Sequence, residues 1–106
     1  MNPVMNDTKW EELRLAMLDL GELSPRFRVL DVKKENPSIW DADWFYHFRN
    51  GEYKYRKWVE IETKSLEQFN AVLEKLRQIR VPGERIESGF RIFGYGTPGE
   101  YIDYLK

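Results

Sequence analysis

His47, the single histidine of the chain, follows Asp41 and Asp43 closely in sequence. An imidazole among carboxylates is the pairing used for general acid–base catalysis and for holding divalent cations. The Asp41-x-Asp43 spacing matches no calcium or zinc loop, so the two acids read first as polar loop residues ahead of a strand. A catalytic His47 also needs a nucleophile or an orienting group nearby. Ser24, Ser38, Ser65 and Ser88 fall in turns, caps or strands without an elbow motif, and His47 reads as a half-exposed strand residue. Glu60 and Glu62 share a strand face as the paired carboxylates of a hydrolase do, yet adjacent acids on an exposed strand are more often simply solvated.

The run Gly94-Tyr95-Gly96-Thr97-Pro98-Gly99 has the spacing of a dinucleotide-binding glycine fingerprint. That fingerprint requires a βαβ unit and an acidic residue ~20 positions downstream for the ribose, and the chain stops at Lys106. The run is read as a glycine-rich loop entering a capped helix, and no cofactor is expected.

Positive charge and stackable rings occur together at Phe45, His47, Arg49, Lys54, Arg56 and Trp58. Eight of the sixteen aromatic residues lie between Trp40 and Trp58, around Asn50-Gly51. Asn-Gly suits a two-residue type I′ turn, which predicts a β-hairpin with Arg49 opposite Glu52. In that register Trp44, Tyr46 and Phe48 share the core face with Tyr53, Tyr55, Val59 and Ile61. Phe45, His47, Arg49, Lys54, Arg56 and Trp58 fall on the other face and are the expected partner-binding surface, because aromatic and arginine side chains dominate interface energies. Single-stranded nucleic acid is the alternative ligand for such a face.

Three Ser/Thr-x-x-Glu/Gln capping boxes mark the helices that would frame this surface: Thr8/Glu11, Ser65/Gln68 and Thr97/Glu100. Trp10, Leu13, Met17 and Leu20 follow the first at helical spacing, predicting a helix over 9–20. Gly21 supplies its C-terminal cap. Leu66, Phe69, Val72, Leu73, Leu76 and Ile79 make the second stripe, and the third box opens a short helix over 98–105. Strands are predicted over 26–32, 44–49, 53–62 and within 85–95. A strand–helix–strand order after Tyr53 predicts a crossover and hence a mixed sheet. The stretch 33–43 is the longest irregular segment and the one most free to carry function.

At 106 residues, with 42% hydrophobic and 33% charged residues, the chain is expected to be one domain over 1–106 with a flexible tail at 1–6. The fold expected is α+β in two layers: a four-stranded mixed sheet with the Asn-Gly hairpin, two main helices on one face and a short C-terminal helix. Seventeen basic and eighteen acidic residues leave a net charge of −1, which argues against a general attraction to nucleic acid or anionic membranes. Without cysteine there is no disulfide frame, thiolate metal site or cysteine nucleophile. With neither a signal peptide nor a membrane span recognisable, the expected location is the cytoplasm.

The opening Asn6-Asp7-Thr8-Lys9-Trp10-Glu11-Glu12-Leu13 resembles that of a group of small bacterial proteins sharing a domain of unknown function. Trp58-Val59-Glu60-Ile61 and Arg91-Ile92-Phe93-Gly94-Tyr95 are similar to its strand segments. The resemblance implies a bacterial, cytosolic source and carries no activity, cofactor or catalytic residue. The function expected by elimination is a non-enzymatic protein-binding module of the immunity or antitoxin kind, with a protein partner or a homodimer. An enzyme built around Asp41, Asp43 and His47 is the remaining alternative.

Overall fold

Both principal helices start where a side-chain oxygen can accept an otherwise orphaned N–H. Asn6 Oδ1 accepts from Lys9 N–H at 2.8 Å and opens α1 (Asp7–Leu18), so Asn6, ahead of the predicted Thr8, is the cap. Ser65 Oγ accepts from Gln68 N–H at 3.1 Å and opens α2 (Leu66–Ile79) as expected. Gly21 takes the left-handed conformation (φ 58°) just beyond α1 and leads into a short 3-10 turn at Gly21–Leu23. The computed structural model describes residues 1–96 and 102–106. The Thr97/Glu100 box and the first half of the expected third helix lie outside the described residues. At its far end Tyr104 forms an antiparallel bridge to Pro82, so the expected helix does not reach Leu105.

The strands among the described residues are β1 (Asn2–Pro3), β2 (Arg26–Asp31), β3 (Arg56–Glu62), β4 (Gly83–Ile86), β5 (Gly89–Phe93) and β6 (Tyr95–Gly96). They form a four-stranded sheet ordered β2-β3-β5-β4 and a two-stranded sheet, β1-β6. Every pairing among the described strands is antiparallel, which corrects the mixed sheet. The crossover through α2 does deliver β4 parallel to β3, but one position too far away. The chain then turns at Glu87-Ser88 and β5 fills the gap, so one predicted strand is in fact two. At the N-terminus Asn2 and Pro3 pair with Gly96 and Tyr95, Val4 N–H donates to Gly94 O at 2.9 Å, and Met5 is buried.

Trp10, Leu13 and Met17 of α1 and Val72, Leu73 and Leu76 of α2 pack on Phe27, Val59, Ile61, Phe90 and Ile92 from alternate positions of the sheet. The opposite sheet face carries a charge ladder. Glu60 stands between Arg28 and Arg91 in register, and Arg26 stands opposite Glu62. Glu60 is therefore buried (1% exposed) and paired, contrary to its expected solvated role. Both outer strands have company on their free sides. Asp41 exchanges two 2.8 Å hydrogen bonds with Phe27, and Gly83 N–H donates to Asp103 O at 3.1 Å.

Candidate functional site

The segment expected to form a hairpin wraps the end of β2 instead. Asn50 (φ −63°, ψ 136°) and Gly51 (φ 75°) have the backbone signature of a type II turn, whereas type I′ needs positive φ at both residues. Without I′ geometry the flanks do not pair, and His47–Arg49 and Tyr53–Tyr55 are 3-10 turns. Asp43 directs the first: its Oδ1 accepts from Tyr46 N–H at 2.9 Å, and its carbonyl from Phe48 N–H at 3.1 Å. Trp44 and Phe48, four residues apart, then fall on one helical side and are buried. Trp44 Nε1 donates to Pro25 O at 2.7 Å and locks the segment to the start of β2. Tyr46, expected in the core, is 64% exposed, and Tyr55 is half-buried.

The six residues expected on one surface consequently do not share one. Phe45 and Tyr46 protrude, their rings T-shaped at 4.6 Å. Arg49 Nε and Arg14 Nη1 both donate to Phe45 O, at 3.0 and 3.3 Å, and both guanidinium groups lie over the Phe45 ring. Lys54 is exposed and paired with Glu52 at 3.0 Å. Trp58 sits on the sheet face beneath Arg91. Arg56, expected in solvent, is buried at 4% exposure, because two turns in place of a strand bring Phe48 and Tyr53 over it. Its guanidinium carbon lies 4.3 Å from the Phe48 ring centre and 4.6 Å from that of Tyr53. Nη2 donates to Phe48 O and to Asn50 O, while Nη1, also buried, has no hydrogen-bond partner among the described residues. Burial pushes the Arg56 pKa down to about 10, which leaves it cationic at neutral pH.

Arg56 lines a groove of about 440 Å³ between β2 and the wrapping segment. Phe27, Val29 and Ile39 give it apolar surface, Asp31, Asp41 and Glu52 negative charge, and Lys34, His47 and Arg56 basic groups. His47 Nδ1 lies 2.8 Å from Asp41 Oδ2, and Nε2 lies 3.6 Å from Asp43 Oδ2. The other carboxylate oxygens are engaged with the backbone: Asp41 Oδ1 accepts from Asp43 N–H and Asp43 Oδ1 from Tyr46 N–H. The Tyr46 N–H bond holds the Asp43 carboxyl below its usual value. Among the described residues no three acidic or histidine side chains converge as a metal would need. Sequence reasoning brought Asp41, Asp43 and His47 together but missed Asp31, Glu52 and the burial of Arg56. The usable signal was Asp43 followed by aromatics at helical spacing, a cap and not a strand entry.

A second polar cluster supports the knob from below. Glu11 accepts from Arg14 Nε and Nη2, both at 3.0 Å, and from the Tyr53 hydroxyl. These bonds, Arg14 first, hold the Glu11 carboxyl below its usual range, while burial and the bond to Glu11 push Tyr53 up to about 12.

No helix among the described residues is long and apolar enough to cross a membrane. Compared with curated proteins and with solved structures, the chain has no match in either. A family model matches residues 1–99, a span that includes the Trp10 opening, the wrapping segment and the groove, and the chain therefore belongs to that family, a family of unknown function (DUF6678).

Proposed function

We propose that the chain is a protein-binding module that engages its partner through the Phe45–Tyr46 knob braced by Arg49 and Arg14. The observation that carries this reading is the exposure of two adjacent aromatic rings packed on each other and on arginine instead of on the core. Rigid aromatic and arginine groups contribute large contact area at low entropic cost, the usual makeup of an interface centre. A second copy of the chain and a foreign protein, including a toxin in the immunity or antitoxin setting, are both accommodated.

The test is site-specific photocrosslinking from position 46 in the native cell, repeated with Phe45→Ala. A discrete adduct that disappears in Phe45→Ala while the fold persists supports the module. Adducts unchanged by that substitution, or none, overturn it. Sedimentation over a range of concentrations distinguishes a homodimer from a foreign partner.

A second reading, enzymatic, is favoured by the Asp41–His47 contact at the groove mouth. A carboxylate on Nδ1 orients the ring and leaves Nε2 as the proton-transfer atom. An activity lost in His47→Ala and kept in Phe45→Ala would select it.

A further inference from the structure

The sheet face turned away from α1 and α2 carries two cross-strand rows that the knob does not use. Register aligns Arg28, Glu60, Arg91 and Glu84, one from each strand, as charges of alternating sign across the whole sheet. Arg28 and Arg91 keep about a third of their side chains exposed and Glu84 about half, so the row is open to solvent. Beside it run Leu30, Trp58 and Phe93, neighbours in the same register and each half-buried. Residues paired across antiparallel strands point the same way, so the charged and apolar rows share one surface.

The order of the charges restricts what can cover that surface. Arg26, Arg28 and Arg91 are matched one for one by Glu60, Glu62 and Glu84 on the same face, which leaves no net attraction for a polyanion. A copy of the face is complementary to it in one arrangement. Two sheets stacked near alignment about a two-fold axis along the strands set β2 over β4 and β3 over β5 of the second copy. Arg28 then meets Glu84, Glu60 meets Arg91 and Trp58 meets Phe93. An axis across the strands would instead set every charge against its own duplicate.

We propose that a second copy of the chain stacks on this face, with the two-fold axis running along the strands between β3 and β5. A four-stranded face is about 15–20 Å on a side, toward the small end of stable interfaces, so the dimer is reversible. Neither Phe45 nor Tyr46 takes part, and the dimer stands or falls apart from the module proposed above.

The experiment is sedimentation of the full chain over a range of concentrations, paired with cross-linking of single-cysteine variants, for which the chain's lack of cysteine gives a clean background. Stacked sheets lie ~10 Å apart, so a bismaleimide of about that reach spans facing positions. The expected result is a dimer that dissociates on dilution, with Arg28→Cys and Glu84→Cys chains cross-linking to each other, when mixed, at least tenfold more than either does to itself. Trp58→Ala should weaken the dimer at least tenfold. Because Trp58 is half-buried and its loss can loosen the sheet, Glu84→Arg, at an exposed position, is the second probe and should weaken it severalfold while thermal melting still shows a folded domain. A monomer up to about 1 mM, self-adducts as strong as the mixed one, or a dimer untouched by Glu84→Arg would each overturn the arrangement. Dimerisation lost in Phe45→Ala without the mixed adduct would belong to the knob and overturn it too. Salt-sensitive binding of a single-stranded oligonucleotide, abolished by Trp58→Ala, would give the face to nucleic acid instead.

Discussion

Glu60 receives Arg91 Nε at 2.9 Å on the sheet face away from the helices, and with Arg28 Nε at 2.7 Å on its other oxygen it is almost fully enclosed. The enclosure follows from register, since Arg28 and Arg91 are its direct neighbours on the two flanking strands. Glu60→Ala leaves two arginines facing each other across an empty position. Both are about one-third exposed and partly rehydrate, so the expected loss is about 1–3 kcal/mol, below that of a fully buried pair. Urea denaturation should show a lower midpoint with an unchanged slope, and Arg91→Ala in the Glu60→Ala background should cost little more.

The two aromatic neighbours Tyr46 and Phe48 should respond oppositely to truncation. Tyr46→Ala is expected within about 0.5 kcal/mol of wild type, as for an exposed side chain, while Phe48→Ala should lose about 3–5 kcal/mol. Equal losses, measured by chemical denaturation, would mean that the segment 44–49 packs otherwise.

Gly94 passes so close to β3 that a Cβ would lie 2.0 Å from the carbonyl oxygen of Arg56. Backbone cannot yield as a side-chain tip can, so Gly94→Ala should cost about 3 kcal/mol or more. Thermal melting checks this, with Gly21→Asn, at a left-handed position with open space around it, as the tolerated control.

Acid should release the Glu11 cluster. The folded carboxyl titrates below its unfolded value of 4.5, so its stabilisation is complete above that value and is lost as pH falls through the lower folded one. Tyr53→Phe removes one donor and should move the Glu11 titration upward, read by carboxyl-carbon NMR. Tyr53 has the opposite sign. Its folded pKa of about 12 exceeds the usual 10.0, so its contribution is complete below pH 10.0 and is lost as pH rises toward about 12. Glu11→Gln should lower that phenol pKa yet leave it raised, because burial is the larger cause. Phenolate absorbance reports it.

Much of the fold was legible where one periodicity ruled. Trp10, Leu13 and Met17, and then Val72, Leu73 and Leu76, recur at helical spacing and are buried as that spacing requires. Val59, Ile61, Phe90 and Ile92 alternate and face the helices. Reading failed at 44–55, where apolar residues crowd so densely that strand and helical spacings both fit, and only the Asp43 cap and the negative φ at Asn50 decide. Arg56 was misplaced for the same reason, since its face was inferred from a pairing that does not form. The insertion of β5 between β3 and β4 depends on long-range packing that no local pattern encodes. Asp41 and His47 were legible as a pair of residue types, but not as the wall of a groove.

The company on the free sides of β2 and β4 limits how one molecule can meet another. An unoccupied strand edge is a template for intermolecular β-pairing, the route to strand exchange and fibrils. Here Asp41 and Ser38 occupy the outward N–H and C=O groups of Phe27 and Val29, and residues 103–105 occupy those around Pro82. What remains of β4 carries Glu84 and Arg85 and is followed by Glu87, charges that resist edge-to-edge pairing of like chains. Recognition is thereby steered from backbone to side chains, and the molecule can display adhesive aromatic groups while giving an incoming β-strand little to join.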